Sequence, residues 1–436
     1  MKLYISLFGK KERVLGWLEL FEQEKLSFKY KGEILKDFSS VNILVGLEFP
    51  TNIKNLKSDK KVFILESLYT SKTEKKSKVN KTPKLLIEQK GNFLIIPKNI
   101  SSLLTKNRHD RSKILDILRN VLIRAFELIK FPYIHIWYYP QPCKTIFLFR
   151  QDVDYVDEKR VENLIDITSK FNIKGTYFVN ISGEEEFDEK IGHLKLLKPT
   201  TPDRKGALFK LLDQSNEIAN HGYWHWVFKD FKNNSQNIKK CSWYLYDLLN
   251  VRAKGFASPG AEWNRSLAKA IEQNKLLYSS NGLSDGGLPY YPYLNGQKTK
   301  TLEIPFYFFC DASFDQTNFQ KLHKVLRDYY LSLIGKNTNR SDPIAILGHP
   351  HLTGKFAKGF YLSIFQKIKK LGIPNFTIEE FTCWWKKREK LEIFCQKSGN
   401  KLTIESNKSD VLLEVIYKRS RTILKTNKEN KVVFYL

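Results

Sequence analysis

A chain of 436 residues, 42% hydrophobic and 14% aromatic, is too long for one ordinary domain and too apolar to be disordered. Its 73 Lys and Arg against 46 Asp and Glu leave +27, which favours nucleic acid, anionic lipid, acidic glycan or nucleotide-linked sugar as partners without choosing among them. Five scattered cysteines with no C-x-x-C indicate neither a cysteine zinc site nor a disulfide framework, and no apolar run approaches the ~20 residues of a membrane span.

The first residues, Met1 to Phe8, break at Gly9-Lys10-Lys11-Glu12 without a normal export signal, so a soluble cytoplasmic protein is expected, with peripheral membrane contact left open. Residues 1–143 read as a small α/β domain of unassigned role. Val41–Leu47, Lys61–Leu65 and Asn92–Pro97 look like strands, and Asp110–Phe131 has a 3.6-residue apolar repeat. Between them Lys72, Lys75, Lys76, Lys78, Lys81 and Lys84 face a single Glu74, which reads first as a solvated loop and second as a patch for phosphate or anionic lipid.

From Thr145 the pattern becomes strand, loop, helix, repeated over residues 144–389. Strands are expected at Thr145–Phe149, Thr176–Val179, Glu217–Asn220, Lys254–Ala257, Thr301–Ile304 and Pro343–Leu347. Helices are expected at Val161–Phe171, Asn237–Leu249, Ser266–Asn274, Asn318–Gly335, Tyr361–Leu371 and Phe381–Lys390, the last announced by the capping box Thr377-Ile378-Glu379-Glu380. Such alternation predicts an α/β fold, either a (β/α) barrel or a doubly wound sheet. Residues 390–436 alternate like strands and read as a small β appendage.

In a barrel, reactive groups gather at the C-terminal ends of strands. The expected strands run into Arg150-Gln151-Asp152-Val153-Asp154, His221-Gly222-Tyr223-Trp224-His225, Ser258-Pro259-Gly260 and Gly348-His349-Pro350-His351. Four of the eight histidines and two carboxylates thus fall at three of these four ends. His221 and His225, four apart, can present two imidazoles to one metal, and a carboxylate from another strand end would complete the set. Two carboxylates spaced by one residue allow one to bind metal and the other to take a proton.

These strings resemble the polysaccharide deacetylases of the NodB-homology type, carbohydrate esterase family 4. The carriers are Phe149-Arg150-Gln151-Asp152-Val153-Asp154-Tyr155, an Asp-Val-Asp variant of the first motif; Lys174–Val179; Glu217–His225, with His-x-x-x-His; Gly255–Gly260; and Ile346–Pro350. The resemblance spans roughly Thr145 to Arg388. It implies a distorted (β/α) barrel holding one divalent metal, most often zinc, on Asp154, His221 and His225. It further implies Asp152 as the base for the attacking water and His349 as the acid for the leaving amine. The expected reaction is removal of an N-acyl group, acetyl above all, from an amino sugar of a glycan or of a lipid- or nucleotide-linked precursor. A deformylase, or a non-catalytic glycan- or membrane-surface-binding barrel, is the alternative; no specific nucleic acid is expected.

Three departures stand out. Val153 separates the two aspartates, so the roles of Asp152 and Asp154 are open to exchange. Ala257 occupies the place of the arginine that orients the base, with Arg150 the replacement available on the first strand and otherwise grouped with Trp224, Trp263 and Pro259 as substrate-facing. The acidic partner of His349 is left between Asp285 and Asp311. Trp226 joins the two tryptophans as a sugar platform or as core. His351 reads as a surface or supporting residue, or as a second acid; His109, His135, His193 and His323 read as structural.

Overall fold

The computed structural model describes residues 5–31, 43–46, 61–67, 87–106, 109–154, 156–181, 202–314 and 316–436. The lysine-rich stretch 72–84, His193 and Tyr155 lie outside them. Two compact units emerge rather than three: Met1–Pro142 with Lys386–Leu436, and Cys143–Trp385.

The second unit is built on eight parallel strands. In chain order they are β1 (Phe147–Val153), β2 (Gly175–Val179), β3 (Glu217–Asn220), β4 (Gly255–Phe256), β5 (Tyr278–Ser279), β6 (Leu302–Glu303), β7 (Ile344–Gly348) and β8 (Asn375–Phe376). The spatial order is β6-β5-β4-β3-β2-β1-β7, with β8 also pairing with β1. Between β6 and β7 the described residues show one bridge, Tyr307 to Ile346, in which Tyr307 N–H donates to Ala345 O at 3.1 Å. The result is a distorted (β/α) barrel. No helix among the described residues is long and apolar enough to cross a membrane.

The helices follow from capping as much as from apolar spacing. Asp157 accepts from Arg160 N–H to start α1 (Glu158–Lys170), α2 is Pro202–Asp213, and Asp230 accepts from Asn233 N–H to start α3 (Phe231–Leu249). Asn264 caps α4 (Arg265–Gln273), and α5 (Gln316–Arg340) and α6 (Ala357–Lys370) follow. For α7 (Ile378–Arg388) the capping box forms as written: Glu380 N–H donates to Thr377 Oγ1 at 3.2 Å, and Thr377 N–H to Glu380 Oε2 at 2.9 Å.

β1 runs four residues past its expected end, because its polar half is barrel lining. Alternation sends Phe147, Phe149 and Val153 into the apolar layer with Val161, Leu164, Phe360 and Ile364, and Arg150 and Asp152 to the other face.

In the first unit a six-stranded sheet takes Lys29–Lys31, Ile5–Phe8, Ile43–Gly46, Val62–Ser67, Phe93–Pro97 and Glu88–Lys90 in that order, with helices Lys11–Glu24 and Arg111–Leu128. The C-terminal strands are not a separate appendage. Leu412–Tyr417 pairs antiparallel with Tyr133–Ile136, a strand the sequence reading left out, and this ladder ties residues 386–436 to the N-terminal part. Arg388 reinforces the tie, its buried guanidinium donating to the carbonyls of Gln23, Ile136 and Trp137.

The barrel lining holds a buried carboxylate, Glu217, which accepts from Tyr278 OH, Thr176 Oγ1 and Glu379 N–H. Burial outweighs these donors and pushes it up to about 7. Between about pH 4.5 and 7 the unfolded chain releases a proton that the fold retains, so stability falls as pH rises through that window. Glu217→Gln is permanently neutral and keeps the acceptor. It is expected to be more stable than wild type above about pH 7, by at most about 3 kcal/mol, and to converge with it below about pH 4.5. Thermal melts across that range read the difference; parallel curves would refute the assignment.

Candidate active site

The C-terminal ends of β1, β3, β4 and β7 carry the groups that the sequence singled out. Arg150, Asp152 and Asp154 are spaced by two, so an extended backbone presents them on one side. Arg150 grips Asp152 in a bidentate pair, Nε to Oδ1 at 2.9 Å and Nη2 to Oδ2 at 2.7 Å. Its third nitrogen, Nη1, donates to Ser280 O at 2.7 Å and to Ser280 Oγ at 2.9 Å. The guanidinium carbon lies 4.0 Å from the ring centre of Phe306 and 5.1 Å from that of Phe178. Arg150 is fully buried. It is therefore no substrate contact: every donor nitrogen is spent inside the barrel, on Asp152 and Ser280. Burial alone would raise the Asp152 carboxyl, but Arg150, with His221 and His349 adding to it, holds it below the usual range.

Asp154 has different neighbours. Its Oδ1 lies 3.2 Å from His221 Nε2 and 3.0 Å from His225 Nε2. His221 Nδ1 sits 2.9 Å from Ala257 O, a group that only accepts, so the ring proton belongs on Nδ1 and the Nε2 lone pair faces the carboxylate. The His221 lone pair and the Asp154 carboxylate converging this way repel one another unless a cation lies between them. Their spacing also resembles the edge of about 3.3 Å of a tetrahedral zinc site. The donor set fits a divalent ion. The two imidazoles adjoin Asp154 and the guanidinium grips Asp152, which separates the environments of the two aspartates.

The His-x-x-x-His segment is a tight loop, not a helix. Gly222 adopts φ +85°, and a Cβ there would lie 2.8 Å from Trp224 O. Three asparagines hold the loop. Asn180 Nδ2 donates to Gly222 O, Asn220 Oδ1 accepts from Gly222 N–H, and Asn237 Oδ1 accepts from Trp224 N–H at 2.7 Å while its Nδ2 donates to Trp226 O. The sequence reading missed these residues. Asn220, next to His221 in a buried strand end, was the one with a usable signal.

His349 follows β7 and is held at two points by Asp311, from the one-turn helix Asp311–Ser313 after β6. Its Nδ1 lies 2.6 Å from Asp311 Oδ1, and its backbone N–H donates to Oδ2 at 2.7 Å. Burial would lower the imidazole, but Asp311 overrides it, with Asp154 and Asp152 assisting, and lifts it to about 9. Asp285 instead accepts from Phe308 N–H. His351 is no surface residue. Its Nδ1 lies 3.9 Å from Asp154 Oδ2, and burial pushes the ring down to about 4.

Among the aromatic candidates, Trp224 is partly buried against the apolar layer, Trp263 is half-buried and Trp226 is exposed. Pro259 is buried in the turn Pro259–Ala261.

Residues 139–279 match the family model described as polysaccharide deacetylase. Among solved structures, the chain is similar to a Mycobacterium smegmatis protein assigned as a polysaccharide deacetylase, at 17% identity and TM-score 0.47, covering 58% of this chain and 94% of that one. It is also similar to the peptidoglycan deacetylase PdaC of Bacillus subtilis (14%, TM-score 0.38, 57% and 95%). A third likeness is to a CE4 family pseudoenzyme from Bacillus anthracis (15%, TM-score 0.35, 56% and 66%). No curated protein sequence matches. The likeness to the polysaccharide deacetylase family thus covers residues 139–279, the stretch that carries β1 to β5.

Proposed function

We propose that this chain removes an N-acyl group, acetyl above all, from an amino sugar, using a divalent ion, zinc first, held by Asp154, His221 and His225. The observation that carries the reading is the division of labour between two aspartates two residues apart, one in a guanidinium clamp and one facing two imidazoles. A divalent cation in such a donor set supplies Lewis acidity, lowering the pKa of water toward ~7 and drawing charge from an amide carbonyl.

The chain's own groups do the proton work. Asp152, kept ionised by Arg150, accepts the proton of the attacking water on a carboxylate lone pair that Arg150 does not use. His349 stays protonated through neutral pH on the strength of Asp311, and its Nε2–H is the proton given to the leaving nitrogen. Trp226 and Trp263 offer indole faces to a sugar ring. The net charge of +27 suits a diphosphate-bearing precursor or short oligosaccharide. Ala257, in the place of the base-orienting arginine, favours a barrel that binds glycan without catalysis; the Arg150 clamp on Asp152 weighs against it.

Purified protein is expected to carry about one equivalent of zinc or a similar ion by elemental mass spectrometry, lost in His221→Ala and in Asp154→Ala. Protein that stays metal-free after reconstitution would overturn the reading. Acetate release from N-acetylglucosamine oligomers is expected to fall about 10²- to 10⁴-fold in His349→Ala. In Arg150→Met the clamp is gone while burial of Asp152 remains, so the acid limb of kcat/KM should move to higher pH. An Arg150→Met profile superimposable on wild type would dismiss the clamp.

A further inference from the structure

We propose that Cys310, Asp311 and His349 form a second metal site, one that takes a soft or borderline divalent ion such as zinc or cadmium and thereby disables the proton donor. One donor atom of each residue lies within 4.8 Å of the other two, and all three residues are buried. Among the described residues only this cluster and Asp154–His221–His225 meet that condition.

The sulfur is fixed in place. Cys310 caps the turn Asp311–Ser313 reciprocally: Ser313 N–H donates to Sγ, and Cys310 N–H donates to Ser313 Oγ at 3.3 Å. Sγ is thus already oriented as an acceptor; burial and the neighbouring Asp311 push the thiol up to about 12, so the ion itself must displace the thiol proton. Asp311 holds His349 from both the backbone and the ring, so the imidazole is oriented before any ion arrives.

Charge decides which ion belongs there. A thiolate, a carboxylate and a neutral imidazole carry −2 between them, so a divalent ion leaves the buried site neutral. Thiolate and imidazole select zinc, cadmium and their neighbours over magnesium or calcium. Binding forms bonds to Sγ, to an Asp311 oxygen and to the His349 ring, releases the thiol proton and the Nδ1 proton to solvent, and involves no change of oxidation state. The remaining Nε2–H then belongs to a neutral, metal-bound ring, too weak an acid to protonate a leaving amine at neutral pH. Inhibition by a second equivalent of metal follows; that consequence, unlike the site, rests on the role given to His349 above. Cys310 has no other part in the chemistry.

The test is cadmium titration of the zinc-loaded protein, read by ultraviolet thiolate-to-cadmium absorption. The Asp154–His221–His225 set has no sulfur and is silent. Wild type should develop a band of about one thiolate per chain, absent in Cys310→Ser, with apparent affinity at least about ten-fold weaker in Asp311→Asn. Matching circular dichroism melts would show that both variants fold. No band in wild type, or a band that survives in Cys310→Ser, would overturn the site. In parallel, acyl release should fall at least about ten-fold as the second equivalent of zinc binds. A cadmium band on a protein without acyl release would overturn the hydrolase reading and leave the metal site standing.

Discussion

The buried ion pair between Arg150 and Asp152 is the constraint around which the C-terminal ends of the barrel strands are arranged. Placing two charges in a dry interior costs several kcal/mol per ion unless every donor and lone pair finds a partner. Here the guanidinium spends Nε and Nη2 on the carboxylate and Nη1 on Ser280, with Phe178 and Phe306 against its faces. The pair is short-range in sequence because a strand places i and i+2 on one side. That geometry also fixes Asp154, the next residue in the same phase, and so fixes where the two imidazoles of the β3 loop must meet it. The Val153 spacer belongs to the same logic: it is the outward residue between two inward ones, packed in the apolar layer.

Environment then separates groups of the same chemical type. Asp152 and Asp154 are both buried carboxylates held below their ordinary range, one by a permanent cation, the other by ring nitrogens whose charge is conditional. The histidines separate the same way. His349, with a carboxylate at 2.6 Å, is lifted to about 9, while His351, two residues on and 3.9 Å from an Asp154 oxygen, is pushed down to about 4. Sequence proximity of like groups therefore carries little information about their roles. What the opposite end of each side chain touches carries most of it.

How much of this was legible depended on how local each cause was. Strands with continuous apolar runs, such as Ile344–Gly348, and helices with caps, such as α7, declare themselves because their signals lie within a few residues. So did the histidines, since strand ends and metal spacing are local patterns. Four barrel strands of two residues, Gly255–Phe256, Tyr278–Ser279, Leu302–Glu303 and Asn375–Phe376, are too short to show a period; the first and third were placed from their flanks, and Tyr278–Ser279 and Asn375–Phe376 were missed. Tyr133–Ile136 was missed because its partner, Leu412–Tyr417, lies some 280 positions away, and the same distance hid the union of the two chain ends. Arg150 was named both as the stand-in for the missing orienting arginine and among the substrate-facing residues; its burial against Asp152 and Ser280 fits the first. The choice of Asp311 over Asp285 needed the register of β7 against the loop after β6, which no local pattern encodes.

On the proposed role of His349, the two-point hold of Asp311 has a consequence that runs against that role. An imidazole is made a steady acid by giving its Nδ1 proton a permanent carboxylate partner and removing its rotational freedom. The same arrangement, with the proton taken away, is a preformed pair of metal ligands. Most surroundings would leave that pair incomplete, since a carboxylate and one imidazole neutralise only half the charge of a divalent ion. Cys310 changes the balance by offering the second negative charge from a sulfur already fixed by Ser313. A serine there would keep the turn's cap and lack the thiolate. The residue that precedes the tuning aspartate thus decides whether the acid dyad is merely oriented or also open to metal.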